Sequence, residues 1–233
     1  MDNAKSAPQK QDKKQNISSS EVSGIFVAFL VITIFVIFLY YSFVSTDSTM
    51  GGVGILVVVF IFTIISSLVI KSIVLSGDRD ININDFGNIS LTSFISVFLI
   101  VGSTILSSRS MPIIGRAFEN TVGYFWIKTF GGLSEITKTI FINPNSTEYD
   151  YNLIVTQVFD DNDRTLFDTN LREQASRFKD VTVNISDTSN MQKLYELVKR
   201  KHSISEATLV SLATIVALYT CFLPIKYPWI RGY

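Results

Sequence analysis

The sequence predicts a mainly α-helical membrane protein, with four transmembrane helices and a small α/β extramembrane domain between helices 3 and 4. Four apolar stretches, Gly24 to Val44, Gly52 to Ile70, Leu91 to Leu106 and Ala207 to Ile225, contain no charged residue. Hydrophobic residues make up 47% of the 233 positions, and mean hydropathy is positive at +0.34. A single long polar segment, Arg109 to Ser205, separates the third stretch from the fourth.

The hydrocarbon core of a bilayer is about 30 Å thick and a helix rises about 1.5 Å per residue, so a span needs about 20 residues. The first stretch holds fifteen Phe, Ile, Leu or Val residues. At about −0.4 kcal/mol each, they favour insertion by on the order of 6 kcal/mol. The apolar run exceeds the roughly 7 to 15 residues of a signal peptide and no small-residue cleavage site follows it, which predicts a retained anchor. The expected spans are 24–44, 52–70, 89–108 and 205–225. The third is short and carries Thr92, Ser93, Ser96, Ser103 and Thr104, so it must recruit flanking residues, lie against other helices or sit only partly in the bilayer. Ser203 and Glu206 have capping-box spacing, which predicts that the fourth span starts afresh there, and Pro224 is read as its end.

Outside the spans, residues 1–22 form a polar tail expected to be disordered or to lie along a partner, and residues 226–233 form a second tail. Residues 109–132 include Ile114, Phe118, Val122 and Phe125 at helical spacing, next to Tyr124 and Trp126. Aromatic rings favour the membrane interface, so one placement is interfacial; the other is a helix packed on the extramembrane domain. Residues 133–204 form the expected α/β domain. Tyr151 to Phe159 reads as a strand, and a helix capped by Asp163 follows with Leu166, Phe167, Leu171, Ala175 and Phe178 on one side. Val181, Val183 and Ile185 alternate as a second strand, and a helix from Asp187 buries Met191, Leu194, Tyr195 and Val198. A crossover helix between strands predicts parallel pairing. Two strands alone are marginal, so a third strand, the membrane or another protein is expected to support them.

Chemistry-bearing motifs are sparse. The chain has one His and one Cys, and no P-loop, GxSxG or HExxH, so no enzyme, cofactor or metal site is predicted. Asp160, Asp161 and Asp163 open like a calcium loop, but Leu166 and Arg172 stand where that loop needs Gly and Glu, leaving a solvated turn and a helix cap. The run Lys199, Arg200, Lys201 and His202 beside the fourth span is assigned to the membrane interface with Tyr124, Phe125 and Trp126. Asn145 and Asn184 stand in glycosylation sequons that are usable if the domain is lumenal, although Asn16 and Asn88 match on the opposite side. Basic residues flanking the spans come close to a tie between the two orientations, tilted toward a cytosolic N terminus. Between Arg109 and Ser203 twelve Lys and Arg face twelve Asp and Glu, a balance that suits protein partners and not nucleic acid. Small-residue faces on the fourth span (Ala207, Ser211, Ala213, Ala217) suit helix association, including a homo-oligomer.

The segment Arg109 to Lys128, RSMPIIGRAFENTVGYFWIK, resembles small multi-span membrane proteins of large icosahedral DNA viruses, the phycodnaviruses in particular. In those proteins a Pro-Ile-Ile-Gly-Arg-Ala-Phe-Glu-Asn stretch follows a hydrophobic span. The resemblance implies a transmembrane minor capsid protein of the virion internal membrane, derived from host endoplasmic reticulum, with the lipid membrane and capsid or other minor capsid proteins as partners. It carries over no catalytic residue. The expected function is to anchor that membrane to the capsid shell through the domain and tail. The alternative is a subunit of an oligomeric channel or transporter lined by Ser and Thr.

Overall fold

A computed structural model of the protein describes residues 19–43, 49–75, 83–110, 112–142, 148–159, 163–178 and 181–226. Most of the predicted N-terminal tail, the connections between the first three spans, Asn145, Asp160, Asp161 and the C-terminal tail lie outside the described residues.

Among the described residues, four helices are long and apolar enough to cross a membrane, which makes this a multi-pass membrane protein. The first is α1 (Ser19–Phe43), which begins inside the expected tail, and the second is α2 (Thr49–Leu75). The third comprises α3 (Ile83–Ser96), a π-helical turn at Val97–Val101 and α4 (Gly102–Ser110), so the short Ser/Thr-rich stretch does recruit flanking residues. The fourth belongs to α10 (Thr188–Lys226), a single helix of 39 residues. At 1.5 Å per residue α10 is about 58 Å long, nearly twice a bilayer core. The break predicted at Ser203 is absent: α10 runs through the capping-box residues and two residues beyond Pro224. Capping residues act at a helix start only when the preceding backbone leaves the helix, and nothing between Thr188 and Glu206 is a Gly or Pro.

Polar residues inside the spans are largely satisfied within their own helices. The hydroxyls of Thr33, Thr63 and Thr214 donate to carbonyls of Phe29, Val59 and Val210 at 2.7, 2.8 and 2.8 Å, and Ser66 donates to Phe62. Such back-bonding hides a hydroxyl where water is absent. Helix directions follow from the contacts. Ala207 of α10 meets Phe38 and Tyr41 near the end of α1, whereas Cys221 Sγ lies 4.0 Å from the Thr92 carbonyl near the start of α3. The start of α1 and the end of α10 therefore share the face of the bundle away from the extramembrane head.

The head combines α5 (Pro112–Phe118), a π-helical turn at Glu119–Gly123, α6 (Tyr124–Phe130), α7 (Leu133–Ile140), α8 (Glu148–Gln157), α9 (Arg164–Ser176) and the first half of α10. Strands β1 (Phe141–Ile142) and β2 (Thr182–Val183) pair antiparallel, Phe141 opposite Val183. This departs from the expected α/β unit with parallel strands. Tyr151 to Gln157 is helical, because Tyr151, Ile154, Val155 and Val158 recur at the 3-1-3 spacing of a helix face and all four are buried. Their density of β-branched and aromatic side chains suggested a strand, but one-sided burial decides for a helix. The Asp163 cap is present: its carboxylate accepts from Thr165 N at 2.7 Å and Leu166 N at 3.4 Å, and Phe167, Leu171 and Ala175 face inward while Leu166 is exposed. Asp187 caps α10, accepting from Asn190 N at 3.0 Å, and this hydrogen bond holds its pKa below the ordinary value.

Two hydrophobic cores result. The head core gathers Ile127, Leu133, Ile140, Phe141, Ile154, Phe167, Leu171, Met191 and Leu194; the membrane core gathers Ile37, Ile55, Val59, Val97, Val101, Val210 and Ala213. Helix α10 belongs to both, and the residues between its two apolar halves are polar.

Candidate functional site at the membrane boundary

Where α10 passes from head to membrane it crosses the π-helical turn at Glu119–Gly123. A helix offers one residue in three or four to a neighbour, and here Glu119, Gly123 and Ile127 point inward at intervals of four, all buried. A Cβ on Gly123 would run into the Lys201 carbonyl and the Ser205 hydroxyl, so only glycine permits this approach. The outward face carries the apolar stripe: Phe125 is 63% exposed, Trp126 46% and Ile114 41%. Phe118 is half-buried, and the opposite side of the same segment packs on the head through Ile127 and Tyr124.

Lys201 is fully buried, contrary to its expected place among exposed interfacial cations. Its ammonium donates to the carbonyls of Val158 at 2.7 Å, Val155 at 3.3 Å and Thr156 at 3.4 Å. Three N–H donors thus meet three acceptors at the end of α8, where the helix dipole favours a cation; the Val155 carbonyl also accepts the Val158 N–H at 3.3 Å. The Phe159 ring lies 5.0 Å from the Lys201 ammonium, and Arg116 sits 4.5 Å over the same ring. Burial pushes the Lys201 pKa down to about 8, opposed by attraction from Glu119. Lys201 precedes the uncharged part of α10, which begins at Ala207.

The Glu119 carboxylate, 5% exposed, lies 2.6 Å from His202 Nδ1 through Oε1. His202 Nε2 lies 3.6 Å from Glu206 Oε1 on the next turn. A polar layer of buried Glu119, Lys201 and Ser205 and half-buried His202 and Glu206 thus separates the two cores. Sequence reading missed it, although a signal existed. Adjacent helical residues project about 100° apart, so Lys199, Arg200 and Lys201 cannot all face one surface.

Beside this layer a cleft of about 360 Å³ opens between α1, α6 and α10, lined by Phe38, Tyr41, Trp126, Lys199, Arg200, Ser203, Ile204 and Ala207. Lys199 and Arg200 thus line one cleft with Trp126; Lys199 also lies 5.5 Å over the Tyr195 ring. Tyr124 packs against the head core, and Phe125 projects outward. Asn184 follows β2 half-buried, its backbone N–H donating to the Ile140 carbonyl at 2.8 Å. Among the described residues no group of three or more His, Cys, Asp or Glu could hold a metal ion. Comparison with protein-family models, with curated proteins and with solved structures finds no match for this chain.

Proposed function

We propose that this protein is a structural anchor that holds a helical head at a fixed height and angle on a membrane, for contact with a protein layer above it. The observation that carries this reading is the unbroken α10, whose one half completes the head core and whose other half completes the membrane core. A head bolted to its spans through a shared helix and a buried polar layer transmits position, which a tether requires and a flexibly linked domain cannot do. The resemblance of Pro112 to Asn120 to phycodnavirus membrane proteins makes the internal membrane of an icosahedral virion the proposed setting and capsid proteins the proposed partners. Cross-linking mass spectrometry on intact particles or native membranes tests this: links from head lysines such as Lys138 and Lys193 to shell proteins are expected, and links confined to copies of the same chain would overturn the tether.

A second reading, a channel subunit, draws on Ser211, whose buried hydroxyl makes no hydrogen bond within the fourth span. Ion flux in liposomes that falls in Ser211→Ala would favour it. Against it, Thr33, Thr63 and Thr214 spend their donors on their own helices.

A further inference from the structure

We infer that the cleft between α1, α6 and α10 binds the headgroup of an anionic phospholipid. Its volume of about 360 Å³ lies within the roughly 300–1,000 Å³ of small-ligand sites. Its eight lining residues include two cations, Lys199 and Arg200, and no carboxylate. Among the described residues no carboxylate forms an ion pair with either, the nearest in sequence being Glu196 one turn before them on α10, so both cations are available to a ligand beside an apolar floor. Ser203 adds a hydroxyl donor one turn from Lys199.

The depth matches a lipid. Ala207 marks the start of the uncharged part of α10, and Lys199, Arg200 and Ser203 stand one to two turns above it. Tyr41 and Trp126 line the cleft, and aromatic rings of this kind settle at headgroup level. Phe38, Ile204 and Ala207 continue the floor toward the spans, where acyl methylenes would run. A free phosphate ion would leave that floor uncovered, whereas a phospholipid covers floor and cations together. This inference rests on the membrane-spanning reading and is independent of what the head contacts above the bilayer.

Native mass spectrometry of the full chain, delipidated in detergent, tests it with short-chain phosphatidylglycerol, phosphatidylcholine and inorganic phosphate as probes. Phosphatidylglycerol is expected to bind more tightly than phosphatidylcholine. Each basic residue near an anionic surface is worth about fivefold in affinity, so Arg200→Gln should lose about fivefold and Lys199→Gln/Arg200→Gln about 25-fold. Lys193→Gln, on the same helix but outside the cleft, should bind as the wild type does. Because Arg200 is exposed, its single variant keeps the test valid if the double variant fails to fold. Equal binding of the two lipids, unchanged binding by Arg200→Gln, an equal loss in Lys193→Gln, or phosphate binding as tight as phosphatidylglycerol would each overturn the inference.

Discussion

Replacing Lys201 with Met removes a cation buried between head and membrane while keeping a long unbranched side chain. The pKa of Lys201 is lowered from 10.5 to about 8 by burial, so between those values the unfolded chain binds more protons than the folded one. Stability must then rise with pH through that window, because the ammonium no longer has to be carried into the interior. Working the linkage from pH 7 to pH 10, the wild type should gain on the order of 2 kcal/mol that Lys201→Met does not. At pH 7 the variant also loses the 2.7 Å bond to the Val158 carbonyl and the partner that faces Glu119. A hydrogen bond from a charged donor is worth roughly 1.5–3 kcal/mol, the two longer bonds add less, and relief of desolvation offsets much of the sum. The difference between wild type and variant across pH is therefore the decisive quantity, since other titrating groups cancel in it. Chemical denaturation of both proteins in detergent, followed from pH 7 to pH 10, measures it. A wild-type-minus-variant difference that stays flat with pH would show that the ammonium is hydrated and would refute the buried polar layer.

Three other outcomes follow from the same packing. Gly123→Ala places a methyl against the Lys201 carbonyl and should cost about 1–3 kcal/mol, read as a lower midpoint in the same denaturation. Ile154→Ala should cost about 2–5 kcal/mol, since Ile154 is wholly buried on the α8 face in the head core, and amide exchange across Tyr151 to Gln157 should quicken with it. Phe125→Ala, at a ring 63% exposed, should change folding stability by no more than about 0.5 kcal/mol yet reduce incorporation into membranes or particles, and normal incorporation would discount the outward stripe as an anchor.

The spans were legible because the bilayer imposes a length and an apolar composition on any helix that crosses it, whatever its neighbours. Local chemistry was legible too: Asp163 caps α9 as its sequence context indicates, and the stripe of Met191, Leu194 and Val198 is buried as its period requires. Tyr151 to Phe159 was misread because β-branched density and helical spacing coexist there, and only the partner surface selects between them. The Ser203 and Glu206 pair looked like a helix start, since a capping motif is recognisable without knowing whether the preceding residues leave the helix. The inward turn of Lys201 depended on α8 ending opposite it with three carbonyls in reach of its ammonium, and the depth of Glu119 on His202 standing 83 positions later in the chain. Hydropathy and period are properties of a segment and its solvent, so sequence alone determined four stretches long and apolar enough to cross a membrane. Burial of charge is a property of two segments brought together, so only the tertiary structure decided that head and membrane share one helix and a polar layer.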